Sequence, residues 1–526
     1  MITQYISHFI NNFDQKKTVD QLQKIVNSKE GAIGIATAVV LMAGVSFYKS
    51  TKFDRGCPRV PDSSFIYGSS MEYRKDPKAF LNKWHKELGD VYSARLFGGE
   101  IVIVSGHQVR EVFLNKDFNF NEGIKRSFDT HLLTDSRQKD THISPIGDAT
   151  KQYLNPNLKY FTPYVIEALT EGFHEFSGDI PTEGKDYYHL YPMVQHMIAK
   201  ASATVFVGTE LAKNPQLIDT FKNMVAEVGS QISVKPTLEL FPRISRLRMW
   251  YIGKTSPSIK RHRNQLYDVL KYEINRRLKE KEIAGDKWER PIDILQSLIE
   301  TKDIPSHFDI YDYSMEMITL FIFAALHTTT ENGTVAFYRI MSHPGLIDEL
   351  LEEQNQVLES EGFDKNCGPE VFTREILNKF VKLDSAIRES FRVKNTYLDI
   401  PHINFGDKNI VLSSGAIIRP GEYVYVSAYT NNNDPEIQKG LDDLQEYKPL
   451  RFLNAGKNST KIGEDFLPFG LGPHSCPGRW FAIQEIKTMI SYIIRKYQVV
   501  QLDNITFPTQ DQMFFPSGMY RLVPRK

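Results

Sequence analysis

Residues 469–478 of the chain read Phe-Gly-Leu-Gly-Pro-His-Ser-Cys-Pro-Gly, a loop with three glycines around a single cysteine. The glycines let the backbone come close to a flat or bulky ligand, because they carry no Cβ. Pro477 suits the first turn of a helix, and the residues from 479 onward have helical composition. Cys476 is therefore expected at a helix N-terminus, where the macrodipole and free N–H groups favour a thiolate over a thiol.

A lone thiolate held in this way suits a single axial bond to heme iron, whereas a buried structural cysteine is the common alternative. The loop matches F-x-x-G-x-[HR]-x-C-x-G at each fixed position, and it strongly resembles the heme-binding loop of the cytochrome P-450 family. The resemblance implies that Cys476 is the metal ligand of a thiolate-ligated heme b (iron protoporphyrin IX). It also implies that Phe469, Gly472 and Gly478 belong to the cofactor site. His474 matches the position that contacts a heme propionate.

A second motif, Glu389-Ser-Phe-Arg392, lies earlier in the chain on the segment KLDSAIRESFRV. Glu and Arg three positions apart share a helix face and can form a buried, multiply hydrogen-bonded pair. In the family this E-x-x-R pairs with a later arginine, for which Arg451 is the match. The resemblance thus implies a structural core of Glu389, Arg392 and Arg451, with Arg392 also counted among the cofactor-binding residues. Another copy, Glu273-Ile-Asn-Arg276, is interpreted as an ordinary solvated helix pair.

Residues 308–341 predict a long helix whose middle, MITLFIFAAL, is apolar on all sides, as in a helix that runs through a core. Its continuation Ala-Ala-Leu-His-Thr-Thr resembles the family pattern [AG]-G-x-[DE]-T-[TS]. The resemblance implies that Thr328 organises water for proton delivery; the alternative is a hydroxyl that merely bonds to the carbonyl four residues earlier. Ala325 replaces the glycine of this pattern, which is expected to narrow the groove that the helix forms beside the threonine. His327 replaces the Asp or Glu that precedes the threonine. Since histidine can relay protons, Thr328 and His327 are the predicted catalytic residues, with Glu331 a further candidate.

Some positions are named from the resemblance alone. The family's W-x-x-x-R helix, which presents a cation to a heme propionate, has no match in this sequence. Lys151 is the best local candidate for that cation, and a solvated helix residue is the alternative. The predicted substrate pocket is largely apolar, which suggests a lipophilic guest. Its positions are Phe321, Ala325, Leu398, Ile400 and Met519.

Composition narrows the class of protein. Lys plus Arg and Asp plus Glu both number 64, so the formal net charge is zero and gives no argument for a nucleic-acid partner. Three cysteines without a C-x-x-C pair do not make a disulfide framework, which favours a reducing compartment. Apolar residues make up 41% and charged residues 24%, as in soluble globular proteins.

The chain predicts one mainly α-helical domain with small peripheral β-sheets, the cytochrome P-450 fold, preceded by one N-terminal transmembrane helix. A helix is expected at 78–88, and apolar spacing of three and four makes most of 160–390 helical. Strands are expected at 91–96 and 100–104 as a hairpin around Gly98-Gly99, and again at 410–418 and 422–427.

The N-terminal region predicts a membrane anchor. Residues 31–48 are free of charge and apolar on every face, long enough to span a bilayer, whereas a buried helix is the alternative. A polar tail at 1–30 precedes them, a basic Pro-containing hinge at 49–62 follows, and the catalytic domain occupies 63–526. By resemblance to microsomal members, the anchor crosses the endoplasmic reticulum membrane once and the catalytic domain faces the cytosol.

The predicted function is a monooxygenase that hydroxylates a small lipophilic substrate, a steroid, terpenoid or fatty acid, with O2. No G-x-G-x-x-G follows a strand, so electrons come from outside, by resemblance from an NADPH-dependent cytochrome P-450 reductase in the same membrane. Two alternatives stay open. One is a heme-thiolate isomerase or dehydratase that needs no reductase, against which Thr328 argues. The other is a non-catalytic heme-binding protein.

Overall fold

The computed structural model describes residues 53–127, 145–232, 242–302, 304–364, 366–394, 398, 400–507 and 516–525. The predicted tail and membrane helix at 1–48, and the first residues of the hinge, lie outside this part of the chain. Within it, no helix combines the length and the apolar character needed to cross a bilayer.

The described part of the chain is mainly helical, as predicted. The helices of the first half are α1 (Ser70–Lys75), α2 (Pro77–Leu88), α3 (Val109–Leu114), α4 (Phe120–Ser127), α5 (Pro145–Ala149), α6 (Leu158–Ser177), α7 (Tyr191–Val207), α8 (Pro215–Ile232), α9 (Pro242–Thr255) and α10 (Pro257–Ala284). Those of the second half are α11 (Ile294–Ile299), α12 (Ile310–Phe321), α13 (His327–Ser342), α14 (Leu346–Ser360), α15 (Arg374–Lys379), α16 (Val381–Arg392), α17 (Ala428–Asn433) and α18 (Arg479–Lys496).

The core gathers around α7, in which every residue from 197 to 207 is buried. A helix that is buried on all faces must run through a domain rather than over its surface. The hydroxyl of Tyr338 on α13 accepts a 2.9 Å hydrogen bond from the N–H of Leu190, just before α7 begins. This bond ties the start of the central helix to the long helix that carries Thr328.

Small sheets flank the helices, as predicted. The strands are β1 (Val91–Leu96), β2 (Gly99–Val104), β3 (Phe118–Asn119), β4 (Lys185–Tyr187), β5 (Ile400–Asn404), β6 (Ile410–Val411), β7 (Ile417–Ile418), β8 (Tyr423–Val426), β9 (Tyr497–Gln501) and β10 (Tyr520–Pro524). They form a five-stranded sheet in the order β1-β2-β8-β5-β3, a three-stranded sheet β4-β10-β9 and the pair β6-β7. Strands β2 and β8 run parallel, and the other paired strands run antiparallel.

The predicted hairpin is confirmed, whereas the strand expected at 410–418 is wrong. In the hairpin Leu96 pairs with Gly99, and the turn places Phe97 and Gly98 at φ of 53° and 78°, the left-handed values that short hairpin turns need. Residues 410–418 instead form the two short strands β6 and β7, because Gly415 at φ 87° turns the chain between them.

The predicted core pair is a buried ionic cluster at the end of α16. Glu389 and Arg392 are both buried, and Arg392 donates to the carboxylate through Nε at 2.7 Å and Nη2 at 2.9 Å. Arg451 donates to the same carboxylate through Nε at 2.8 Å. The two arginines also donate to backbone carbonyls at 432 and in the segment 442–446. The cluster therefore fixes the irregular chain after α17 onto α16.

The interpretation of Glu273 and Arg276 as an ordinary solvated pair is wrong. Glu273 is only 3% exposed, and it accepts from Arg276 and, at 2.7 Å, from Nε of the buried Arg277. Arg277 also binds Asp293 through two hydrogen bonds of 2.7–2.8 Å. The segment before α11 packs over this turn of α10 and buries Glu273. The E-x-x-R motif gives no sign of this, because Asp293 lies well beyond it in the chain.

We expect Glu389→Gln to lower the free energy of unfolding by about 3–5 kcal/mol, because it leaves Arg392 buried without a counter-ion. Urea unfolding of the full chain, followed by far-UV circular dichroism, measures the loss. The matched control is Glu280→Gln, which removes a half-exposed partner of Arg276 and is expected to cost within about 0.5 kcal/mol. Equal losses in the two variants would contradict the assignment of Glu389 as the centre of the cluster.

Candidate active site

The loop at 469–478 turns back on itself before α18 begins. The N–H of Cys476 donates to the carbonyl of Phe469 at 2.8 Å, and a 3₁₀ turn at Gly472–His474 lies between them. Gly470 and Gly472 both have φ of 66°, in the left-handed region that favours glycine. The phenyl ring of Phe469 packs against that of Phe391 on α16, with ring centroids 5.9 Å apart. The loop is thus held to the helix that carries the ionic cluster.

Two glycines of the loop have opposite surroundings. A Cβ on Gly472 would come within 2.9 Å of the Leu114 side chain at the end of α3, so glycine permits a close approach there. A Cβ on Gly478 would meet no atom within 4 Å. The chain next to the cysteine therefore borders open space on one side, where a large group can lie against the backbone.

The chemistry of Cys476 is set by its burial. Burial raises the pKa of the Cys476 thiol, while hydrogen bonds from the N–H groups of Gly478 and Arg479 lower it. The N–H groups at the start of α18 favour the thiolate, as expected, whereas burial acts in the opposite direction and has the larger effect on this pKa. A bound cation would further stabilise a thiolate at this position.

The start of α18 also differs from the expectation. The helix begins at Arg479, because Gly478 takes the N-cap position with φ −85° and ψ 3°, so Pro477 lies before the first turn rather than in it. The amide of Asn155 donates to the carbonyl of Pro477 at 3.0 Å. This bond links the loop to the turn that follows Lys151.

Three groups that can carry positive charge gather beside the loop. Burial lowers the pKa of His474, and the ammonium of Lys151 lowers it further. The phenyl ring of Phe120 lies 5.8 Å from the ring of His474 and 5.3 Å from that of His402, between centroids. Among the residues predicted from sequence, the structure thus brings Lys151 and His474 together near the cysteine loop, and it adds His402.

His402 is the functional residue that sequence reasoning missed. It lies on β5, is 1% exposed, and burial lowers its pKa to about 4. Its Nε2 has no hydrogen-bond partner among the described residues, whereas buried polar atoms are nearly always paired. The signal in the sequence is a histidine between apolar residues of a strand, Ile-Pro-His-Ile.

These residues fit a thiolate-bound heme. Cys476 supplies a sulfur donor whose thiolate a cation would stabilise, and the open side of Gly478 accepts a flat group. Lys151, His474 and the unpaired Nε2 of His402 are suited to the two propionate carboxylates, since an adjacent carboxylate favours the protonated imidazole.

One side of the core helix is accessible in the middle of the protein, at Ala324 and Thr328; these two residues are called the open stripe below. Ala324 and Thr328 are exposed, although Ile322 and Thr330 beside them are fully buried. The hydroxyl of Thr328 donates to the carbonyl of Ala324, four residues earlier, at 2.8 Å. The helix widens here into a π turn at Ile322–Leu326, a feature that is frequent at functional sites.

The groups around His327 keep its imidazole neutral. The side chain is half-buried, and burial lowers the pKa of His327. The carboxylate of Glu331 acts in the opposite direction, and the ammonium of Lys394 lowers this pKa further. The hydroxyl of Tyr191 lies 3.4 Å from Nδ1 of His327.

The predicted pocket residues occupy different environments. Phe321 is buried, and its ring packs 5.0 Å from that of Phe206 between centroids. Leu398 is buried against the large sheet, while Ala325, Ile400 and Met519 are half-buried. Their assignment to a substrate pocket stays a prediction.

Comparison with known proteins agrees with this site. The sequence matches the family described as Cytochrome P450 over residues 58–520. It is similar to cytochrome P450 monooxygenase 151 of Postia placenta, with 26% identity over 87% of this chain and 91% of the relative. It is also similar to cytochrome P450 monooxygenase BOA4 of Botryotinia fuckeliana, with 29% identity over 67% of this chain and 69% of the relative.

The fold is likewise that of a solved structure. Retinoic acid-bound cyanobacterial CYP120A1 superimposes with a TM-score of 0.62 at 18% identity, covering 89% of this chain and all of that structure. With the cysteine loop, the ionic cluster on α16 and the open stripe of the core helix, these matches assign the chain to the cytochrome P450 family, as a monooxygenase whose cofactor is a thiolate-ligated heme.

Proposed function

We propose that this monooxygenase hydroxylates a small lipophilic substrate, a steroid, terpenoid or fatty acid, with electrons from an NADPH-dependent cytochrome P450 reductase. The observation that carries the proposal is the open stripe at Ala324 and Thr328. It makes the hydroxyl of Thr328 accessible although the helix runs through the core. The predicted pocket positions are apolar, and an apolar lining favours a lipophilic guest.

When bound, heme supplies the activation of O2 and the transfer of one oxygen atom to a C–H bond. The protein has three tasks around it. Cys476 holds the iron by its thiolate, and Lys151, His474 and His402 neutralise the propionates. Thr328 keeps its hydroxyl beside the π turn, and His327 moves protons toward it.

We also propose a single-pass anchor in the endoplasmic reticulum membrane, with the catalytic domain in the cytosol. The uncharged run at 31–48 supports this placement. Three apolar or aromatic side chains of α9 give further support, because Leu247, Trp250 and Tyr251 are 64%, 60% and 56% exposed. Such side chains are favoured at membrane interfaces, where a lipophilic substrate would enter.

The anchor is tested by fractionation of the full chain. We expect it to sediment with membranes, to resist extraction at alkaline pH and to dissolve in detergent. A variant that lacks residues 31–48 should remain with membranes only weakly, through α9. Complete release of the full chain at alkaline pH would contradict a spanning helix.

The heme ligand is tested by the absorption spectrum of the reduced, carbon monoxide-bound protein. We expect a thiolate-type Soret band, and we expect Cys476→Ala to abolish it, because no other sulfur takes the place of this ligand. The matched control is Cys367→Ala, which removes another half-buried cysteine and should leave the band intact. Loss of the band in both variants would instead indicate a general failure to fold.

Turnover is tested with lauric acid, retinoic acid and testosterone as probes of the three lipid classes. Substrate-induced spectral shifts identify the lipid that binds, and its oxidation is expected only with NADPH and the reductase. Thr328→Ala should retain heme but release hydrogen peroxide in place of most of the product, since it removes the hydroxyl beside the π turn. Thr328→Ser keeps a hydroxyl and should restore most of the coupling. Lipid rearrangement without a reductase would instead favour the isomerase alternative.

A further inference from the structure

A connected set of polar side chains leads along α13 to the open stripe. Lys394, which follows α16, binds the carboxylate of Glu331 at 2.9 Å and donates to the amide oxygen of Asn332 at 3.3 Å. The amide nitrogen of Asn332 donates to the carbonyl of Thr328 at 2.8 Å. Glu331 lies one turn from His327 on the same helix face. Lys394 thus contacts two residues in the helical turn that follows the predicted catalytic residues His327 and Thr328.

Tyr191 reaches His327 from a different helix. It is the first residue of α7, and its hydroxyl lies 3.4 Å from Nδ1 of His327. Burial, together with the Glu331 carboxylate, raises the pKa of Tyr191 to about 12, so the phenol keeps its proton near neutral pH. A neutral imidazole accepts at one nitrogen and donates at the other. With Nδ1 as the acceptor from Tyr191, the ring carries its hydrogen on Nε2.

Charges of opposite sign balance around this imidazole. The ionisable groups that act on His327 include Tyr191 from α7, Glu331 from its own helix and Lys394 beyond α16. The ion pair with Lys394 offsets the negative charge of Glu331, which would otherwise favour a protonated ring. Lowering of its pKa favours the neutral His327 ring at rest. The Glu331 carboxylate, one turn away, can stabilise the positive charge while the ring is protonated.

We propose that Tyr191 and the Glu331–Lys394 pair are positioning residues, which hold His327 in the orientation and protonation state needed to relay protons toward Thr328. The proposal rests on the proposed monooxygenase function. His327 and Ala324 are three positions apart and hence neighbours on the helix surface, so the ring borders the open stripe. Tyr191 acts through His327, because its hydroxyl contacts the imidazole.

Each proton that enters at Nδ1 and leaves from Nε2 changes the neutral ring to the Nδ1–H tautomer, so exchange of both ring positions with water must restore the Nε2–H tautomer before the next transfer. A hydroxyl can both donate and accept, so Tyr191 donates to the neutral Nδ1 and accepts from Nδ1 once the ring is protonated. His327 takes up one proton that derives from solvent and releases one from Nε2 toward the stripe. The protonated ring is stabilised by Glu331 for as long as it exists.

The geometry is tested by nuclear magnetic resonance of the full chain labelled with ¹⁵N-histidine. The reduced, carbon monoxide-bound holoenzyme is used because it is diamagnetic, and His327→Gln assigns the signal. We expect the Nε2–H tautomer of a neutral ring at pH 7 in the wild type and a mixture of tautomers in Tyr191→Phe. Tyr188→Phe, which changes a tyrosine that is 69% exposed, is the matched control.

The electrostatic part is tested with Lys394→Met. Loss of the ammonium and release of the Glu331 carboxylate both favour the charged ring, so the pKa of His327 should rise by about 0.5–1 unit. Lys213→Met removes a lysine from a similar 3.0 Å pair with Glu210 on the surface, and it should leave the pKa of His327 unchanged. An unshifted His327 in Lys394→Met would overturn this part of the proposal.

The coupling of NADPH consumption to product formation distinguishes a role of Tyr191 and Lys394 in the proton relay from a role in packing alone. With the reductase and whichever probe lipid binds, product per NADPH consumed is measured against pH. Tyr191→Phe is expected to lower this ratio about tenfold with an unchanged Soret band, and Lys394→Met to move the profile to higher pH. An unchanged tautomer and ratio in Tyr191→Phe would overturn the proposal. A wild type without reductase-dependent product would refute the proposed function instead, while the resonance data still decide how His327 is positioned.

Discussion

The buried carboxylate of Glu389 is the interaction on which the approach to the active site depends. It binds Arg392 on its own helix and Arg451 from the irregular chain that follows α17. The neighbouring Arg388 donates to the carbonyls of residues 458 and 461, and its guanidinium lies 3.9 Å from the centre of the Phe466 ring. One face of α16 thus holds most of the chain that leads into the cysteine loop. A segment without regular structure needs such anchors, because it has few backbone hydrogen bonds of its own.

The active site is the place where the usual rules of packing are broken. A core helix opens at Ala324 and Thr328 and widens into a π turn, Nε2 of the buried His402 lacks a partner among the described residues, and Gly478 borders open space. Around α7 the core consists mainly of apolar side chains. Local conflicts of this kind are expected at functional sites, since a ligand rather than protein fills the space and pairs the polar atoms.

Burial favours the neutral forms of Cys476 and His402, whereas a bound heme would favour their charged forms. In the protein alone, burial favours the neutral thiol of Cys476 and the neutral imidazole of His402. A metal cation stabilises the thiolate, and a propionate carboxylate stabilises the imidazolium. With heme bound, the two groups would become charged in pairs with opposite charges of the cofactor, which would avoid an isolated charge in the interior. His327 differs, because its partners Tyr191, Glu331 and Lys394 all belong to the protein.

The sequence by itself determined the cysteine loop, the E-x-x-R pair and most helices and strands, because each of these is a local pattern of glycines, charges or apolar spacing. It missed the burial of Glu273, the start of α18 at Arg479 and the role of His402. The burial of Glu273 and the surroundings of His402 depend on partners far along the chain, as does the contact of Tyr191 with His327, whose residues are 136 positions apart. The start of α18 depends instead on the backbone of Gly478. Only the tertiary structure decided which polar side chains are buried and which distant side chains come into contact. Such properties arise from the packing of distant segments, and no local pattern encodes that packing.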